Sequence, residues 1–320
     1  MKSLPYPDLL TGHLPRALVC REDFVGQLRH WSQLAFRHGP AAGSRLVRLA
    51  CLLAWVAMSW SGSASAASAK AGALGSRVLI EQMTWTDLRA AQASGVDTVL
   101  VPIGGTEQNG PHMALGKHNI RVMALASQIA QALGRAVVAP VLAYVPEGSI
   151  SPPSGHMRFT GTISIPEATF ESVLSASAES FKQHGFRHIV FLGDHGGYQK
   201  SMERVAARLN QSWRKRGDAR ALALRTFYDS AQGPFNLALR DKGFSDGEIG
   251  VHAGLADTAL AMAIDPALVN TSRLALAAQG GKAQGVDGDP RQATVPLGEI
   301  GIRLIVDNSV LAVQTWIGKP

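Results

Sequence analysis

Seven histidines lie beyond residue 66, and five of them (His112, His118, His156, His195 and His252) stand in glycine-rich or loop-like contexts. Two segments concentrate the polar chemistry. One runs Gly104-Gly105-Thr106-Glu107-Gln108-Asn109-Gly110-Pro111-His112 and continues through Leu115-Gly116-Lys117-His118-Asn119. The other is Gly193-Asp194-His195-Gly196-Gly197. Imidazole nitrogens and carboxylate oxygens converging from several loops are what a zinc or manganese site requires. Any one of these histidines is equally well a hydrogen-bonded loop residue, so the clustering carries the argument. His184 and His188 flank an ordinary helix-to-strand turn and read as surface residues.

The elements that must position these loops alternate between helix and strand. Asp97–Ile103 is a short apolar run ending in two glycines, the pattern of a buried parallel strand. Ala136–Tyr144, Arg187–Leu192 and Ala219–Phe227 are the further strand candidates. Helical spacing marks Met83–Ala93 (opening at Thr84 or Thr86), Ile120–Leu133, Pro166–His184, Gln199–Arg214, His252–Ile264 and Gly298–Trp316. This order predicts one α/β domain, a layered sandwich with a largely parallel sheet flanked by helices. Sites in such sheets lie beyond the carboxyl ends of the strands, which here means just after Ile103, Tyr144, Leu192 and Phe227. Tyr144, Phe159, Tyr198, Phe227 and Tyr228 could line a pocket there or belong to the core.

Composition excludes several classes. The chain has 320 residues, 46% hydrophobic and 17% charged, enough apolar surface for a large core and too little charge for a disordered chain. The net charge of +7 invites a nucleic-acid reading, but residues 1–66 hold seven basic and three acidic residues, which leaves residues 67–320 at only +3. Beyond residue 66 the longest basic run is Arg214-Lys215-Arg216, which reads as a solvated helix end, so no nucleic-acid partner is expected.

Arg45 and Arg48 precede a twelve-residue apolar stretch at 49–60, and small residues follow to Ala64-Ser65-Ala66. A basic flank, a short apolar segment and an A-x-A site are the parts of a secretory signal peptide. Twelve residues make about 18 Å of helix, too short to cross a bilayer. The 44 residues ahead of Arg45 are explained if translation starts downstream of Met1. The expected organisation is an N-terminal extension and signal peptide at 1–66, a short linker at 67–77, and the α/β domain at 78–320. The mature protein is then periplasmic or secreted and without a stable membrane span. Cys20 and Cys51, the only cysteines, fall in the leader, so the mature chain has neither a disulfide nor a thiolate ligand.

The run VPIGGTEQNGPHMALGKHN resembles the signature of the creatininase family of metal-dependent amidohydrolases, in which a buried strand enters P-x-G-x-x-E-Q-H-G-P-H-L-P-L-G-T-D. The resemblance continues through His156-Met157-Arg158-Phe159-Thr160-Gly161-Thr162-Ile163-Ser164, through Gly193-Asp194-His195-Gly196-Gly197 (the family's N-G-H-G-G), and through His252-Ala253-Gly254 with Asp257-Thr258 (the family's H-A-G-E-x-E-T). It ends with Gly285-Val286 and Gly288-Asp289-Pro290, and spans about residues 78–318 in order. It implies an α/β sandwich, hydrolysis of amide or cyclic amide bonds with one or two divalent metals, and a homo-oligomer, commonly a hexamer.

The departures are as informative. The family's first-metal ligands map onto Glu107, His118 and His195, but the bridging Asp is replaced by His118, and a neutral imidazole has one free nitrogen. A second-metal His is Asn109, a Glu ligand of some members is Gly197, and the first Glu of H-A-G-E-x-E-T is Leu255. The resemblance therefore implies a one-metal site of Glu107, His118 and His195, the His₂Glu composition of a catalytic zinc, with manganese as the alternative. Asp194 orients His195, ligates the metal, or caps the following helix. His252 is the candidate acid for the leaving nitrogen, and Asp257 a base or distal ligand. Asn109, His112, His156 and Tyr198 complete the expected surroundings of the substrate. Hydrolysis of a small amide or cyclic amide is the leading functional reading. The alternatives are a member that only binds a small molecule or protein, and a different reaction on the same scaffold, such as deamination or lactone opening.

Overall fold

The structure is a computed structural model and describes residues 77–215 and 217–319. The expected leader, its apolar segment at 49–60, both cysteines and all but the last residue of the 67–77 linker lie outside the described residues. Four parallel strands, β1 (Thr98–Ile103), β2 (Ala136–Val138), β3 (His188–Gly193) and β4 (Arg220–Ala223), form a sheet in the order β2-β1-β3-β4. The principal helices are α1 (Trp85–Ala93), α2 (Lys117–Leu133), α3 (Glu167–Gln183), α4 (Gln199–Trp213), α5 (Arg225–Ser230), α6 (Leu255–Ile264) and α7 (Val295–Ile317). The α/β sandwich with a parallel sheet is as the sequence predicts.

Alternation along the strands separates two apolar layers. Leu100, Val190 and Leu192 join Val122, Leu125 and Ile129 of α2 and Leu260 of α6 on one side. Val99, Val101, Ile189 and Phe191 join Phe170 and Leu174 of α3 and Met202 and Val205 of α4 on the other. Both faces of β1 and β3 are therefore buried, which is why those strands read as unbroken apolar runs. From β1 the chain moves to β2 on one side and later returns to β3 on the other, so the strand order reverses at β1 and β3 and leaves a crevice between their carboxyl ends.

Several elements differ from their expected bounds. The 136–144 strand stops at Val138, because Pro140 has no N–H to give to the ladder. Leu142 still bonds back to Pro102, N to O at 3.0 Å, and carries the chain beyond the sheet. The 219–227 strand ends at Ala223, and the chain then turns into α5, which buries Phe227. Helix α2 begins at Lys117, not Ile120, because Gly116 rather than the first apolar residue starts it. Helix α6 begins only at Leu255, so His252 belongs to a loop. At α1 the expected start is observed, with Thr84 and Asp87 forming a reciprocal capping box.

Helix α7 is long and apolar enough, by length and composition, to cross a membrane, but Gly298, Gly301, Ile305, Ser309 and Val313 face the protein core. Its crossing with α6 is close. A Cβ on Gly298 would fall 1.9 Å from the Ala259 carbonyl oxygen, and backbone cannot step aside. Gly298→Ala is therefore expected to destabilise the fold by about 1–3 kcal/mol, as overpacking typically does. Denaturant unfolding followed by circular dichroism checks this, and an unchanged midpoint contradicts the account of the crossing.

Candidate metal centre at the sheet switch point

The loops that leave β1 and β3 meet where the strand order reverses. Glycine lets them approach. A Cβ on Gly104 would lie 2.1 Å from Asn119 Oδ1 and 2.8 Å from the Asn119 Cα, so only glycine allows the start of α2 this close to the end of β1. Asn119 Oδ1 in turn accepts from the Gly105 N–H at 2.9 Å. On the β3 side, Tyr198 is fully buried and its hydroxyl lies 2.8 Å from the Ile103 carbonyl oxygen and 2.6 Å from that of Gly104. The same hydroxyl accepts from the His195 N–H at 3.1 Å. Tyr198, expected near the substrate, thus ties the two loops together.

Glu107 stands at the centre and is completely buried. Its Oε1 lies 2.7 Å from His118 Nε2, and its Oε2 lies 3.2 Å from His156 Nε2 and 3.6 Å from His195 Nε2. Glu147, from the loop after β2, lies 3.5 Å (Oε2) from His195 Nδ1. One donor atom each from Glu107, Glu147, His156 and His195 lies within 4.8 Å of all the others. Segment 156–165 braces both glutamates. Ser164 Oγ accepts from the Glu147 N–H at 3.0 Å, Thr162 Oγ1 accepts from the Gln108 N–H at 3.1 Å, and the Ile163 N–H donates to the Thr106 carbonyl at 2.9 Å.

The electrostatics of this group are unusual. Burial pushes the Glu147 carboxyl up, and neighbouring Glu107 pushes it further, to about 9. Burial would raise Glu107 too, but its hydrogen bond to His118 and the surrounding cations outweigh that and hold it well below the usual carboxylate range. Burial lowers His195 to about 4, leaving a neutral imidazole with a lone pair to offer. Both Glu147 oxygens and Glu107 Oε2 are buried without a hydrogen-bond partner. Buried carboxylate oxygens in that state need a cation or a proton. Two carboxylates and two imidazoles around those oxygens fit a divalent metal ion.

The other expected site residues take different places. His118 touches Glu107, but its second nitrogen, Nδ1, lies 2.5 Å from Asp194 Oδ2, so both ring nitrogens are engaged by carboxylates. Asp194 neither caps the next helix nor orients His195. Its oxygens go to His118 and to Arg121 Nε, at 2.9 and 3.2 Å. Asp257 pairs with Lys117 and with Arg121 Nη1 at 2.7 Å, and accepts the Ala253 N–H at 3.0 Å. Burial would raise its pKa, yet Lys117 and Arg121 hold it well below the ordinary range.

Asn109 Nδ2 donates to the Glu107 and Ala114 carbonyls at 2.9 and 3.0 Å and fixes the loop, while its Oδ1 is buried without a hydrogen-bond partner. His112 Nε2 lies 3.0 Å from Thr258 Oγ1 and stands apart from the group. His252 is close to it. Its Nδ1 lies 3.8 Å from Glu107 Oε1, and its ring packs on that of His156 with centroids 4.5 Å apart. Ala253 beside it has φ of 56°, a conformation non-glycine residues seldom adopt, and an antiparallel bridge between His252 and Asp287 supports it. Burial and then Lys117 lower His252 to about 4.

Sequence reasoning missed Glu147, Gln108, Lys117 and Arg121. Gln108 Nε2 contacts both His156 Nδ1 at 3.0 Å and His252 Nε2 at 3.1 Å. Glu147 is the first acidic residue beyond Tyr144, so the strand-end rule applied there would have reached it. Lys117 and Arg121 are four apart on one helical face, visible once α2 is started at residue 117.

The profile of the family described as Creatininase: Creatinine amidohydrolase matches residues 81–313. A creatinine amidohydrolase of Pseudomonas putida is 28% identical over 203 residues, covering 62% of this chain and 75% of that protein. A mycofactocin precursor peptide peptidase of Mycolicibacterium smegmatis is 29% identical over 244 residues, covering 70% and 87%. A solved structure of creatininase with Mn superposes with a TM-score of 0.63 at 23% identity, covering 76% of this chain and all of the other, a likeness of fold.

Gly105 carries the test of the geometry. Its φ is +152°, and a Cβ there would lie 2.5 Å from Glu147 Oε1. Gly105→Ala is expected to displace that carboxylate and weaken divalent-ion binding about 10–100-fold, the usual effect of disturbing a ligand's support. Calorimetric titration with zinc measures it. Unchanged affinity in a folded variant would show that Glu147 does not face the ion.

Proposed function

Because the chain belongs to the creatininase family of amidohydrolases, we propose that it hydrolyses a C–N bond of a small amide or cyclic amide at a one-metal site held by Glu107, Glu147, His156 and His195. The observation that carries this reading is that both oxygens of Glu147 and Oε2 of Glu107 are buried without a hydrogen bond beside two histidines. Zinc or manganese suits two imidazoles and two carboxylates, and the higher coordination number of manganese leaves more room for water and substrate. A bound divalent ion supplies Lewis acidity toward an amide carbonyl and lowers the pKa of a water towards ~7.

The chain's own residues supply the rest. His252 is neutral at pH 7, so its imidazole can take the proton that the attacking water loses. As imidazolium it can then return that proton to the leaving nitrogen. Gln108 spans His156 and His252 and sets the distance between metal side and proton carrier. His118 holds Glu107 in place from the opposite side. A peptide C–N bond is a second substrate class, favoured by the relative that is a peptidase of a precursor peptide.

The test uses purified protein, elemental analysis after dialysis, and amine release from panels of cyclic amides, linear amides and short peptides. One divalent ion per chain and turnover abolished by a chelator are expected. Glu147→Gln should lose most of the metal. His252→Ala should keep the metal and lose about 10²–10⁴-fold in kcat, the range for a general acid–base group. Full metal content in Glu147→Gln would overturn the ligand assignment. A metal-loaded protein that turns over no amide but retains one would favour a binding role.

A further inference from the structure

Lys117 and Arg121 are both buried, at 0% and 4% exposure, yet neither belongs to the four-donor group. A buried cation is costly unless it is paired. Here the pairing is complete. Lys117 Nζ sits on Asp257 Oδ2, and Arg121 Nη1 lies 2.7 Å from Asp257 Oδ1. Arg121 also reaches Asp194, with Nη2 2.9 Å from Oδ2 and Nε at 2.9 and 3.2 Å from the two oxygens. Two acids are thus matched by two bases, and every oxygen of Asp194 and Asp257 has a partner. The contrast with both oxygens of Glu147 and Oε2 of Glu107, which are buried without hydrogen bonds, divides the pocket into a satisfied half and an unsatisfied half. His118 marks the boundary, 2.7 Å from Glu107 on one side and 2.5 Å from Asp194 on the other.

We propose that Lys117 and Arg121 act as built-in counter-ions that close the Asp194–Asp257 half to a second metal ion and so fix the content at one divalent ion per chain. The inference rests on the reading that Glu107, Glu147, His156 and His195 hold the first ion. Without the two side-chain cations, Asp194, Asp257, His118 and the far oxygen of Glu107 would form a second set of carboxylate and imidazole donors next to the first. With them, and with His118 facing a carboxylate at each ring nitrogen, every oxygen of this half is paired, and the oxygens left without a hydrogen bond are those of Glu147 and Oε2 of Glu107, on the side of the first ion. A second ion would enter a half whose acids are already neutralised, at a large desolvation cost.

The experiment counts zinc per chain by elemental analysis after equilibration with excess zinc and gel filtration, on the full chain and three variants. Wild type is expected to hold one. Lys117→Met takes the ammonium off Asp257 Oδ2 and vacates space beside it, leaving Arg121 on Oδ1, and should hold two. Arg121→Met frees part of both aspartates and carries the same expectation, so the result does not depend on one variant folding. Lys117→Met/Asp257→Asn removes the cation and its acid together and should stay at one. Cobalt substitution gives an independent readout, because each added site contributes its own visible absorption. Two zinc ions in wild type would overturn the proposal, as would one zinc in folded Lys117→Met and Arg121→Met. No zinc in wild type would instead overturn the four-ligand reading on which it rests.

Discussion

Two carboxylates, Glu107 and Glu147, are buried together, and no hydrogen bond reaches either oxygen of Glu147. Like charges in such surroundings cannot both ionise, and Glu147 responds with a pKa near 9. The arrangement is stable with a proton on one carboxyl or with a cation between the two. The neighbouring His156 and His195 add nitrogen donors, so that one donor atom from each of the four residues lies within 4.8 Å of the others, a set that could hold a divalent ion. This one requirement gives the surrounding architecture its sense. His118, Asp194 and Arg121 hold Glu107 from behind, while Gly105 leaves the space that the Glu147 carboxylate fills.

The sheet is what brings the pair together. Glu107 follows β1, His195 follows β3, and these neighbouring strands are paired along their length. Their connections run to opposite sides, so their loops open a crevice rather than packing on each other. Glu147 arrives from the β2 side because Pro140 ends that strand early and the chain continues past the end of the sheet. His252 arrives from a fourth direction, on a turn held by Asp287. The site therefore draws on four segments gathered at the carboxyl edge of the sheet and cross-tied by Tyr198 and by segment 156–165.

The sandwich was legible because β1 and β3 are buried on both faces and read as continuous apolar runs. The placement of Glu107 and His195 at strand ends was legible because they sit in glycine-rich loops just beyond apolar runs. Glu147 was not. Periodicity marks where a strand stops being apolar, but not which loop will fold back over its neighbour, and residues 145–148 look like any proline- and glycine-containing turn. The pairing of Lys117 and Arg121 with aspartates 140 and 73 residues away in sequence is likewise a tertiary fact. A lysine and an arginine on the first turns of a helix read equally well as a solvated face. Likewise, the first residues of α5, Arg225–Phe227, read as the end of a strand because Ala219–Phe227 suits either element until the chain must turn over the sheet.

The central claim is that one ion lies between Glu107, Glu147, His156 and His195, with His118 remaining on Glu107 and Asp194. Anomalous diffraction at the zinc edge from crystals of the zinc-loaded protein tests it most directly. The account predicts a single peak per chain, within about 2.0–2.2 Å of an oxygen of each glutamate and of one nitrogen each of His156 and His195. A peak on His118 and Asp194, or one from which the Glu147 carboxylate is turned away, would contradict it.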